Sequence, residues 1–237
     1  MKHLKLLLLS LAMMAGSSLM AQSNTDDVKL LREAAERGDV GAQYDLAVLY
    51  SNDSSTYTEA VKWFREAARQ GHTDAQYNVG FAYENGLGVE PNLDEAIRWY
   101  KLAAEQNNAL AINTLGAIYS DDYHDYSEAI KLFRKAADLG CSSAQINMGV
   151  CYEKGLGVEI DHLQASEWYD MAADQGDPDG IYYKGHCYEE GIGVEENINL
   201  ATIYYDIAAE HGSIRAEKAL MRLWMLDEPP HFNKEDL

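Results

Sequence analysis

The chain has 237 residues, 47% of them hydrophobic, with three cysteines and 39 acidic against 19 basic side chains, a formal charge of −20. Such a surface repels polyanions, which excludes nucleic acids and anionic lipid headgroups, both of which are bound through clusters of Lys and Arg. Three cysteines form at most one internal bridge, so the fold does not rest on a disulfide framework.

Residues 1–21 read as an export signal. Lys2 and Lys5 precede an apolar run from Leu6 to Met14, and small residues lead up to Ala21. A membrane-spanning helix needs about 20 consecutive apolar residues, and Ser10, Gly16, Ser17 and Ser18 interrupt this run. Cleavage after Ala21 removes two lysines and no acid, leaving 17 bases against 39 acids, a formal charge of −22. The expectation is a soluble periplasmic or secreted protein with no stable membrane insertion.

From residue 22 to 226 the chain repeats itself. Six segments come into register, AQYDLAVLY from Ala42, AQYNVGFAY from Ala75, AINTLGAIY from Ala111, AQINMGVCY from Ala144, GIYYKGHCY from Gly180 and AEKALMRLW from Ala216, spaced 33, 36, 33, 36 and 36 residues apart. A second segment recurs between them, as in EAVKWFREAARQG and EAIRWYKLAAEQN. Periods of this size mean a stack of supersecondary units. The units fall at about 42–74, 75–110, 111–143, 144–179 and 180–215, with half-units at each end.

Both segments fit helices. In the first, the recurring residues lie at offsets 0, +4, +5 and +8 from the opening residue, which share one face at 3.6 residues per turn. In the second, paired alanines follow seven and eight positions after Ala60, Ala96, Ala129, Ala165 and Ala201. Gly80, Gly116, Gly149 and Gly185 sit in the middle of the first helices, where glycine costs about 1 kcal/mol relative to alanine. Close approach of the partner helix offsets that cost, and the pairs Trp63-Phe64, Trp99-Tyr100, Trp168-Tyr169 and Tyr204-Tyr205 supply large rings opposite the small residues. The longer connections NGLGVEPN, KGLGVEID and EGIGVEEN begin with Gly86, Gly155 and Gly191, suited to the left-handed residue that ends a helix, and each returns one valine to the core. Asp94, Ser127 and Asp161 are the expected caps of second helices. About twelve helices are expected between residues 27 and 226. DEPPHFNKEDL, residues 227–237, is expected to leave the fold as a disordered tail, with Phe232 as its one aromatic residue.

The pattern A-x-x-x-L-G-x-x-Y-x-x-G-x-G-V followed by A-x-x-W-Y-x-x-A-A-x-x-G resembles the Sel1-like repeat, a relative of the tetratricopeptide repeat. The match runs from Ala75 to Val89 into Ala96 and from Ala144 to Val158 into Ala165. The resemblance implies an all-α, right-handed superhelical solenoid of antiparallel helix pairs and an adaptor or regulatory binding role in a bacterial periplasm or envelope. Ala47, Asn107 and Met221 depart from the pattern. A cysteine-rich branch of the family ties each helix pair with a disulfide, but Ala137 and Gln145 stand at the matching places here. Cys151 and Cys187 read as buried thiols behaving as small apolar residues.

If offsets 0, +4, +5 and +8 face the helix partner, then +2, +3, +6 and +9 face away, toward the concave side of such a solenoid. That face carries Tyr44, Asp45, Tyr77, Asn78, Phe81, Asn113, Asn147, Tyr183 and His186. Its amides suit an extended peptide backbone and its aromatics suit apolar anchors. The competing reading makes the +2 column inter-unit core, with first helices of adjacent units packed on one another.

Catalytic and metal constellations are weak, so no cofactor is expected. His186 and Cys187 are adjacent on a helix and point about 100° apart, which bars them from acting face to face. DPDG from Asp177 lacks the twelfth-position glutamate of a calcium loop and reads better as a cap. The glycine-bearing loops follow helices and lack the lysine of a phosphate cradle. Glu153, Asp161 and His162 share a neighbourhood in a chain rich in acids, which is weak ground for a metal site. The expected function is an exported adaptor holding a protein or peptide. Alternatives are a host-facing secreted interaction factor and, from cysteine-rich relatives, a weak penicillin or cell-wall-ligand binder.

Overall fold

A computed structural model describes residues 25–227. The export signal and residues 228–237 of the tail lie outside the described residues. Twelve α-helices occur among those described: α1 Thr25–Glu36, α2 Val40–Tyr50, α3 Tyr57–Arg69, α4 Thr73–Asn85, α5 Leu93–Glu105, α6 Ala109–Asp121, α7 Tyr126–Asp138, α8 Ser142–Lys154, α9 His162–Asp174, α10 Pro178–Glu190, α11 Ile198–Glu210 and α12 Ile214–Asp227. A 3-10 turn, Ser54–Thr56, precedes α3. The described residues contain no strand. Helices consecutive in the chain pack as antiparallel pairs, first helix against second, and the chain divides between Ala111 and Ile112 into two compact units.

The second helices bury one stripe. In α3 it is Ala60, Val61, Phe64, Ala67 and Ala68, and in α7 it is Ala129, Phe133, Ala136 and Ala137. The large ring at the middle of each stripe meets the small residue at the middle of the first helix. A β-carbon added to Gly149 would lie 2.4 Å from the Tyr169 ring, and one added to Gly80 would lie 2.8 Å from Tyr100. Tyr100, Tyr169 and Tyr205 are all fully buried as a result, each contributing about 1.5–3 kcal/mol through its apolar area.

Helix ends follow their chemistry with two corrections. Gly86, Gly155 and Gly191 end α4, α8 and α10 in the left-handed conformation, as expected. Asp161 caps α9, but α5 and α7 are capped by Asn92 and Asp125, not Asp94 and Ser127. Asn92 has the extended backbone of a cap (φ −152), and its side chain accepts from Glu95 N at 3.1 Å, while Asp94 lies inside the first turn. Asn107, standing where other units have glycine, adopts φ 60, which asparagine tolerates better than most residues. In the long loops the valines are half-buried, and in the third it is Ile192 that is buried, with Val194 beside it.

A second glycine in each long loop makes the contact between units. A β-carbon on Gly88 would stand 2.5 Å from the Tyr57 carbonyl carbon, and one on Gly157 would stand 2.5 Å from the Tyr126 oxygen. The loop thus presses onto the start of the preceding unit's second helix. Glutamines add polar links. Gln76, buried in α4, donates to Ala68 O at 3.2 Å and accepts from Gln106 at 2.8 Å, and Gln43 does the same with Ala35 O and Gln70. Cys141, Cys151 and Cys187 are buried and unbridged. Burial pushes the Cys151 thiol up to about 11, and burial with nearby Asp170 pushes Cys187 up to about 12.

Candidate partner-binding face

The residues at offsets +2 and +3 form separate clusters. In the first compact unit, Tyr44 stacks on His72 with centroids 4.4 Å apart and leans on Phe64 at 5.8 Å. The Asn78 side chain hydrogen-bonds the Tyr44 hydroxyl. Tyr77 leans on Tyr100 at 5.6 Å and on Phe81 at 6.5 Å. Phe81 is buried, and with Tyr44 and Asn78 it lines a mainly apolar recess between α2, α3 and α4. Asp45 is exposed beside it.

In the second compact unit, Asn147 donates to Asn113 Oδ1 at 2.8 Å, so each amide finds the other. Tyr183 lies flat on Tyr169, centroids 4.6 Å apart and planes 9° apart, and Arg215 donates to its hydroxyl at 3.1 Å. His186 stands 3.8 Å from Glu153, its ring stacked with Tyr182. The +2 residues Tyr44, Tyr77 and Tyr182 each rest on the second-helix ring of their own unit. That column is half core and half surface.

Several participants were not singled out from the sequence. The Tyr169 hydroxyl donates to Glu153 at 2.6 Å, Tyr100 to Glu84 at 2.7 Å and Tyr205 to Glu189 at 2.6 Å. Where the second helix carries Phe64 or Phe133 in place of tyrosine, the offset +9 residue is Ser51 or Ser120 in place of glutamate. That co-variation among the repeats was the available signal. Burial raises Glu153, but the adjacent His186 imidazole and the hydrogen bond from Tyr169 outweigh it and hold the carboxyl below its ordinary value. Burial and the Glu153 charge drive the Tyr169 hydroxyl far up.

His186 and Cys187 diverge as expected, since His186 faces Glu153 while Cys187 joins the buried cluster of Ile146, Ala165 and Tyr169. Asp177 is a helix cap, accepting from Asp179 N at 2.9 Å and Gly180 N at 3.1 Å. His186, Glu189 and Glu190 bring ligand atoms within 4.8 Å of one another. Arg222 lies 2.5 and 2.6 Å from the two Glu189 oxygens and Tyr205 donates to one of them, so a cation would have to displace an arginine. Among the described residues no helix is long and apolar enough to cross a membrane.

Paired helices, small residues against rings and recurring caps define an all-α helix-pair repeat protein. The Sel1 repeat model matches at residues 40–72, 73–108, 111–141, 142–177 and 178–213, and the chain belongs to that family. A Sel1 repeat protein from Oxalobacter formigenes is similar over 89% of this chain and 94% of its own, with 28% identity and a TM-score of 0.73. A protective antigen present in uropathogenic Escherichia coli strains is 34% identical over 86% of this chain, with a TM-score of 0.71, and the match spans 44% of that antigen. A segment is 44% identical over 46 residues to DAP3-binding cell death enhancer 1 of Rattus norvegicus, covering 9% of that protein. Sel1 repeats form non-catalytic scaffolds that mediate protein–protein contact.

Proposed function

We propose that this chain is an exported adaptor that holds a protein or peptide of the cell envelope on the concave face formed by its first helices. The observation that carries the reading is the half-buried state of Tyr77, Asn78, Tyr182, Tyr183 and His186. Each is held by neighbours yet keeps an edge in solvent, the arrangement of a preorganised contact surface. Export rests on the leader pattern at residues 1–21.

The test is affinity capture from a periplasmic extract with the wild-type chain and with Asn78→Ala/Tyr183→Ala. A partner retained by the first and lost by the second, at similar thermal stability, supports the reading. Loss of stability alongside loss of capture places these residues in the core instead. A second reading, a host-facing interaction factor, is favoured by the likeness to the uropathogenic antigen. Fractionation separates the two, since an envelope adaptor stays with the periplasm and a host-facing factor reaches the surface or the medium.

A further inference from the structure

The described residues open on one half of a repeat unit and close on the other half. α1 has the second-helix pattern, since Ala34 and Ala35 stand where Ala208 and Ala209 stand in α11, so Leu30 corresponds to Tyr204 and Leu31 to Tyr205. α12 has the first-helix pattern, with Met221 and Trp224 at the offsets +5 and +8 that Gly185 and Tyr188 hold in α10. Among the described residues no first helix precedes α1 and no second helix follows α12. Inside the chain these positions meet. A β-carbon on Gly185 would lie 2.8 Å from the Tyr205 ring, and Tyr188 stacks on Tyr204 with centroids 5.6 Å apart. At the two ends they are open to solvent instead. Leu30 is 63% exposed, whereas Trp63, Trp99, Leu132, Trp168 and Tyr204 of its column are all half-buried. Met221 is 57% and Trp224 64% exposed, while Ala216 and Leu220 of the same helix are buried against α11. α12 is thus seated as a first helix with its pairing face uncovered. A terminal repeat needs a polar outer face to stay soluble alone, and Met221 and Trp224 give α12 an apolar one.

We propose that α12 of one copy pairs with α1 of the next, so that two chains complete one helix pair and join head to tail. The side-chain sizes point to this occupant. In the inner units the second helix supplies the ring and the first helix the glycine, as Tyr205 and Gly185 do. At the ends the sizes are exchanged, with Met221 on the first helix and Leu31, smaller than a tyrosine, on the second. The +8 contact changes in the same sense, Trp224 replacing Tyr188 and Leu30 replacing Tyr204. Bulk given up by one end is carried by the other. The charges agree in sign, since α1 has four acids against two bases and α12 three bases against two acids. The two surfaces are unlike, so a dimer keeps one free end of each kind and can add further copies. A single helix pair is a small contact, which makes the association concentration-dependent. None of Tyr77, Asn78 and Tyr183 takes part in it.

Sedimentation velocity of the purified chain over a concentration series tests this. The average mass of the wild type is expected to rise with concentration past that of a dimer. Leu30→Asp and Trp224→Asp each change one exposed side chain, so each should keep the wild-type melting temperature. Each should also weaken self-association at least about tenfold, as loss of a buried apolar side chain implies. Mixed in equal amounts, the two variants should form a dimer of one copy of each and nothing larger, because the intact α12 of the first meets the intact α1 of the second. Should Trp224→Asp lower the melting temperature, Met221→Asp takes its place with the same expected outcomes. A wild type that stays monomeric at every concentration overturns the proposal, whether residues 228–237 or another protein covers α12. Self-association of either variant at wild-type strength overturns it too, and so does a mixture that behaves as its two components do alone.

Discussion

The Tyr169 hydroxyl donates to Glu153 at 2.6 Å across the groove between α9 and α8. The bond satisfies a buried phenol whose ring already fills the space above Gly149. Tyr169→Phe should cost about 1 kcal/mol in urea unfolding, the usual net worth of such a bond. Adding Glu153→Ser, the pairing that accompanies Phe64 and Phe133, should recover part of the loss. A double variant no more stable than the single one would show that the co-variation is not energetic.

The same carboxylate sets a pH dependence. Glu153 is held below its ordinary value in the folded state by His186 and Tyr169, against the opposing effect of burial. Its contribution is therefore present above the unfolded value, about 4.3, and is lost as pH falls through the lower folded value. Wild type should exceed Glu153→Gln in stability at neutral pH by about 1 kcal/mol or less, given partial solvent screening. The gap should close below about pH 4, as read from denaturant melts at stepped pH.

Gly149→Ala tests the approach of ring and helix. Alanine gains about 1 kcal/mol of helix propensity, but its β-carbon would meet the Tyr169 ring at 2.4 Å. Overpacking of this kind costs about 1–3 kcal/mol, so the net effect in urea should be a loss. A rise in midpoint would mean that the ring moves aside freely.

Gln76 is buried with both ends of its amide engaged. Gln76→Ala should destabilise by about 1–3 kcal/mol, because it removes two side-chain hydrogen bonds and leaves Ala68 O with the Gly71 N–H alone. The third unit has Ile112 and Leu139 in place of this glutamine pair, so Gln76→Ile/Gln106→Leu should be markedly less damaging than Gln76→Ala. A double-mutant comparison at one temperature decides it.

Much of the fold was legible because both helices of each unit recur, so that errors in one copy are corrected by the others. The caps were less so. Asn92, Asp94 and Glu95 all suit a helix start by type, and only the extended backbone of Asn92 separates the cap from the first turn. The face was legible as a set of positions but not as contacts. Tyr169 and Glu153 are 16 residues apart on different helices, a separation that helical periodicity does not address. Asn113 and Asn147, expected to greet a peptide, instead spend a hydrogen bond on one another. Tyr183 and Asn78 share an offset, yet one stacks on Tyr169 and the other hydrogen-bonds Tyr44, a difference set by the side chain and not by the pattern.

The seating of Gly88 on Tyr57, of Gly157 on Tyr126 and of Gly193 on His162 has a direction. Each of the three long loops leans, through this glycine, on the unit before it. A chain emerging from the ribosome therefore finds each seat already built when the next loop arrives, and it can consolidate stepwise without waiting for its C-terminus. Loss of an early unit strands the loop that follows. Duplication by whole units at the C-terminal end is thus the growth step that such an array accommodates with least disturbance.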